Sequence, residues 1–136
     1  MKCSVLYLSV AAIGSGCLIG SATAAEMTGA EIKELISGKT VYLELTASVT
    51  GTNGKGVMYY DPNGTIIYKT PKGDMWHGTW TIKGNTACND WKELPNNACT
   101  KYDKQGDTIT NINVQTGQTR GKIVKTAPGN VENLTP

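Results

Sequence analysis

From Thr40 to Lys125 the chain runs in short segments of alternating polar and apolar residues, cut at regular intervals by Gly, Pro, Asn and Asp. Such spacing leaves no room for parallel crossovers, which need a dozen or more connecting residues and usually a helix. Val41, Leu43, Leu45, Ala47 and Val49 alternate with Tyr42, Glu44, Thr46 and Ser48, as a strand with one buried face requires. Further strands are expected over 55–60, 65–70, 75–82, 86–92, 98–102, 108–114 and 120–125. The turns between them carry their own chemistry. In Asp61-Pro62-Asn63-Gly64, Pro sets the second position and Gly accepts a positive φ. About eight strands joined by hairpins predict an antiparallel barrel or sandwich.

One helix precedes them. Thr28-Gly29-Ala30-Glu31 fits a capping box, in which the Thr hydroxyl and Glu carboxylate satisfy each other's free backbone amides. Met27 and Ile32 form the matching hydrophobic staple. Ile32, Leu35 and Ile36 share a face, and Gly38 supplies a left-handed stop. The spacing predicts a helix over 29–37 whose narrow apolar stripe lies against a sheet or plugs one end of a barrel.

The first two dozen residues have a different character. Met1 and Lys2 are followed by an almost uncharged apolar run over 5–19 and by Ala22-Thr23-Ala24, the order of a secretory signal peptide with its small-residue cleavage site. Gly14-Ser15-Gly16-Cys17 lacks the aliphatic residue expected before a lipoprotein cysteine, so cleavage before Ala25 is expected. That divides the chain into a signal over 1–24, a β-domain over 25–126 and an exposed C-terminal tail over 127–136. Lys2 leaves with the signal, and the remaining Lys and Arg nearly balance the 11 Asp and Glu. A nucleic-acid partner gains no support from that balance, and no later segment has the length of a membrane-spanning helix. The expected location is the periplasm or the medium outside the cell. Cys88 and Cys99 are then the two mature cysteines, and in an oxidising compartment they are expected to be bonded to each other.

The middle hairpins leave two faces open. With four-residue loops, Val57, Tyr59, Ile66, Tyr68, Met75 and His77 share one face, and Met58, Tyr60, Ile67, Lys69, Trp76, Trp80 and Ile82 the other. A bulge over 71–74 would move Trp76 and Trp80 onto the face of Tyr59 and Ile66. The chain has no Phe, so the face bearing the Trp side chains is expected inside. Tyr59, Tyr68, Trp76, Trp80 and Trp91 are candidate walls for a small hydrophobic ligand, or simply the filling of the barrel; eight strands enclose a space suited to either. Met75 and His77, two apart on a strand, could present a thioether and an imidazole to a soft ion such as Cu(I), with Met58 as a third ligand if the register shifts. The only mature serines, Ser37 and Ser48, have no indicated partnership with His77, so an enzyme is not expected.

Gly78-Thr79-Trp80 followed by Gly84, Cys88, Trp91, Cys99 and Gly106, the opening TGAEIKELISGK over 28–39, and the pairing of DPNGT with a later GTWTIKG resemble a family of small exported bacterial proteins of unknown function. The resemblance implies a periplasmic, lipocalin-like β-barrel and carries over no active-site residue. The resulting expectation is an up-and-down barrel of about eight strands with one short N-terminal helix. Its expected role is non-enzymatic and cofactor-free: binding a small hydrophobic ligand. The alternatives are an envelope-protein interaction or inhibitor module acting through the loop over 89–98, and a soft-metal binder.

Overall fold

The computed structural model describes residues 20, 23–46, 53–94 and 98–135. The apolar run over 5–19, the expected strand positions Ala47 to Val49 and part of the loop closed by the cysteines lie outside the described residues. Helix α1 (Gly29–Ile36) opens on the expected capping box. Thr28 Oγ1 accepts from the Glu31 amide at 3.3 Å, and the Thr28 amide donates to Glu31 Oε2 at 2.7 Å. Gly38 follows at φ +71°. Among the described residues no helix is long and apolar enough to cross a membrane.

The strands are β1 (Ala25–Glu26), β2 (Lys39–Leu45), β3 (Gly54–Tyr60), β4 (Thr65–Lys69), β5 (Met75–Lys83), β6 (Thr86–Trp91), β7 (Ala98–Gln105), β8 (Thr108–Asn113) and β9 (Thr119–Pro128). From β2 to β9 each strand pairs antiparallel with the next, and β9 returns to pair with β2. The result is a closed eight-stranded up-and-down barrel. The two-residue β1 is an extra strand laid on β7, with Ala25 opposite Lys104; no periodicity in so short a segment announces it.

Two turns set which face is inside. Gly64 N–H donates to the Asp61 carbonyl at 3.0 Å and Gly73 N–H to the Thr70 carbonyl at 2.9 Å, with both glycines at positive φ, +96° and +91°. Each is a turn followed by a left-handed glycine that adds one residue to the hairpin. Tyr60 therefore pairs with Ile66 and Lys69 with Met75, one step away from the register that four-residue loops give. Because both hairpins slip, Met58, Tyr60, Ile66, Tyr68, Trp76 and Trp80 share the inner face. The Trp face is interior as expected, while Tyr59 is placed outside, in register with Ile67.

The core sits at the helix end. Ile32 and Ile36 are fully buried, and Val41, Ile66, Trp80 and Ala87 close around them. Trp80 Nε1 donates to the Asp61 carbonyl at 2.8 Å, and its ring meets Tyr60 edge-on at 5.6 Å. Cys88 and Cys99 are opposed residues of β6 and β7, with Cα atoms 4.0 Å apart and their sulfurs bonded. The flanking Ala87 and Asn89 face inward, so the bond lies on the outer wall.

The expected tail is exposed over most of its length, but it is not free. Strand β9 runs to Pro128, three residues past its expected end, and the following segment folds back over the outer wall. Thr40 Oγ1 donates to the Gly129 carbonyl at 2.7 Å and accepts from the Val131 amide at 3.1 Å. Asn130 brackets Leu134 through both its amide atoms, and Leu134 is buried. These contacts give Thr40 and Leu134 the cover that a free tail would deny them.

Candidate ligand-binding cavity

The barrel is hollow away from the helix. A cavity of about 540 Å³ opens at the end formed by the β4–β5, β6–β7 and β8–β9 connections. One wall is aromatic. Tyr68 and Trp76 are opposed residues of β4 and β5, and Trp91 enters from β6. Tyr68 meets Trp76 edge-on at 5.5 Å between ring centroids, and Trp91 lies 5.9 Å from Tyr68 and 6.1 Å from Trp76. Three of the five expected ligand-wall residues, Tyr68, Trp76 and Trp91, thus converge on the cavity. Trp80 is interior but belongs to the plugged end, and Tyr59 is on the outer face.

The rest of the lining mixes apolar residues such as Leu43, Leu45 and Met58 with a polar group that sequence reading missed. Asn89 on β6 and Asn111 on β8 are each 7% exposed, and the side-chain oxygen of each has no hydrogen-bond partner. Arg120 also reaches the cavity, with a buried Nε–H that has no acceptor. The cause is a break in the β8–β9 ladder. Asn111 pairs with Gly121 but Ile112 with Thr119, so Arg120 is an unpaired extra residue, and such a bulge re-aims a side chain. Gly121 beside it admits no substitute, because a Cβ there would lie 2.1 Å from the Glu44 carbonyl of β2.

Burial pushes the Tyr60 and Tyr102 phenols above their ordinary value. At Tyr60, interactions with Tyr102 and Asn89 pull the other way. Burial, aided by Tyr60, lifts Tyr68 to about 12. All three are neutral hydroxyls at physiological pH. Burial lowers the affinity of Arg120 for its proton, and the neighbouring Tyr102 and Tyr60 oppose that effect. Tyr60 also donates to Met58 Sδ at 3.3 Å.

That contact places Met58 inside the barrel, whereas Met75 and His77 are on the outer face of β5. The structure does not bring the three expected soft-metal ligands together. Both turns add a residue, so Met58 sits opposite Tyr68 on the inner face. His77 has other partners. Its amide donates to Glu93 Oε2 at 2.9 Å, its Nδ1 lies 3.0 Å from Glu93 Oε1, and its Nε2 lies 3.3 Å from the Thr135 carbonyl. The bonds from His77, its backbone amide first, hold the Glu93 carboxyl below its usual range.

No known protein family, curated protein or solved structure matches the chain.

Proposed function

We propose that this protein is an exported, periplasmic binding module that holds a small, largely apolar molecule in the open half of a lipocalin-like barrel. The observation that carries this reading is the cavity itself. Its volume of about 540 Å³ falls within the range of small-molecule sites, and it combines an aromatic wall with a few convergent polar groups, the usual make-up of such sites. The bonded cysteine pair fits an oxidising compartment. A binding role rather than a catalytic one is supported by the chemistry of the deep polar lining, which is the Asn89 and Asn111 amides, neutral phenols and the Arg120 guanidinium, while the charged Lys72 and Asp74 belong to the β4–β5 turn at the mouth. The single histidine is on the outer wall, engaged with Glu93 and Thr135.

The test is native mass spectrometry of the protein purified without denaturant from its own host. A co-purifying small molecule, lost from Trp76→Ala protein that keeps its fold, is the expected result. A bare protein mass, together with unchanged tryptophan fluorescence across a small-molecule screen, overturns the reading.

A further inference from the structure

The Arg120 backbone serves the fold, its carbonyl accepting from the Thr46 amide at 2.9 Å, but its buried Nε–H has no acceptor. Arg120 is half-buried, and a cation drawn even partly out of water usually has a carboxylate partner to offset the lost hydration. Each of the three ion pairs among the described residues lies elsewhere: His77–Glu93, Lys101–Glu26 and Lys122–Glu44. Arg120 instead faces Tyr60, Tyr102 and the cavity, with its Nε–H unused. Two further atoms in the same lining share this condition, the side-chain oxygens of Asn89 and Asn111. Both residues are more than nine-tenths buried, where an unmet polar atom costs about 1–3 kcal/mol. These unmet groups line one cavity, and the bulge that frees Arg120 from the β8–β9 ladder lies beside Asn111.

Their chemistry describes a ligand. A guanidinium fork pairs bidentately with a carboxylate or a phosphate, and of the two the carboxylate carries the single charge that one guanidinium can offset. The amide oxygens call for a donor next to it, such as a hydroxyl or N–H. The Tyr68–Trp76–Trp91 wall takes a flat apolar body. We infer that the cavity recognises a small amphipathic carboxylate, its anionic head on Arg120 between the Asn89 and Asn111 amides and its ring or hydrocarbon body against Tyr68, Trp76 and Trp91. This inference rests on the binding-module reading and adds the charge of the ligand to it.

Two probes of one shape separate the inference from that reading: 2-naphthoate and its neutral counterpart 2-naphthamide, titrated by calorimetry into the intact protein at low salt. A charge-assisted contact in a partly dry site predicts naphthoate binding about tenfold tighter or better. In Arg120→Gln the preference vanishes while naphthamide binding is retained. Asn111→Asp, which supplies an internal carboxylate to the guanidinium, also abolishes the preference and covers the case in which Arg120→Gln does not fold. Arg120→Gln protein should also melt no lower than wild type when ligand-free, since it loses a charge without a counter-ion; a residue with a merely structural role would lower the melting temperature. Equal binding of both probes to the wild type, or a preference that survives both substitutions, overturns the carboxylate assignment and leaves the binding-module reading standing. If neither probe binds, the carboxylate assignment is overturned, and the binding-module reading stands or falls on the native mass and the ligand screen.

Discussion

At the helix end of the barrel Ile32, Ile36, Val41 and Ile66 are no more than 1% exposed. Trp80 there spends its one polar atom on the Asp61 carbonyl. Toward the other end, β6, β8 and β9 carry Asn89 and Asn111 with unmet oxygens and Arg120 with an unmet N–H around an open space of about 540 Å³. An eight-stranded barrel is wide enough to be filled by its own side chains or to hold one small ligand. This one does both along its axis. The filled half supplies the stability that lets the other half keep space and unpaired polar groups, a division expected where binding and stability compete.

The contrast is sharpest under substitution. Ile36→Ala removes fully buried methyl groups from the packed half and should cost about 3–4 kcal/mol in urea denaturation. Leu45→Ala, on the cavity wall, should cost less than half of that, because fewer atoms surround the deleted ones. Equal losses would break the distinction between the halves. Replacing Cys88 and Cys99 together by Ala should lower stability by about 3 kcal/mol. That bond is on the outer wall, so probe affinity should be unchanged.

The buried phenols give the contrast a pH dependence. Tyr68 has its folded pKa raised to about 12 against an ordinary 10, so the folded state holds its proton more tightly than the unfolded chain. That stabilisation is complete below pH 10 and is lost as pH climbs toward 12, by about 2 kcal/mol after allowance for solvent at the open end. Denaturation midpoints measured between pH 9 and 12 should fall across that window, and absorbance at 295 nm should show the tyrosinate appearing with unfolding. A flat profile to pH 12 would remove the buried hydroxyls from the account. The smallest effect has the opposite sign: Asn111→Leu, which deletes an unmet buried oxygen, should raise stability by about 1 kcal/mol. A clear loss would mean that Asn111 supports the fold rather than the cavity.

The helix, its capping box, the disulfide partners and the hairpin order were legible because each rests on local chemistry between near neighbours in sequence or on hairpin spacing. The register of the middle hairpins was not. Thr70-Pro71-Lys72-Gly73-Asp74 repeats the X-Pro-X-Gly-X form of Asp61-Pro62-Asn63-Gly64-Thr65, and each adds one residue through its left-handed glycine. Counting each as a four-residue loop mixes the faces, and it put Tyr59 with the candidate walls. Tyr68, Trp76 and Trp91 were found because large rings in a Phe-free chain must go inside. Arg120 escaped because a bulge in β9 reverses its direction, and no pattern in Gln118-Thr119-Arg120-Gly121 marks one beyond the glycine. Asn111 and Asn113 carried a usable signal: Asn is a poor strand residue, and two of them alternating with Ile112 point to a face that is inside yet wet. The tail eluded a local reading because its cover for Thr40 and its contact with His77 join residues far apart in the chain.

The division between a filled and an open half is tested most directly by the three indole N–H resonances of an amide-correlation NMR spectrum, since Trp76, Trp80 and Trp91 are the only tryptophans in the chain. On titration with 2-naphthoate, Trp76 and Trp91 should shift saturably while Trp80, bonded to Asp61 at the plugged end, stays in place. Movement of Trp80 as large as that of the other two, or no movement of any, would contradict the account.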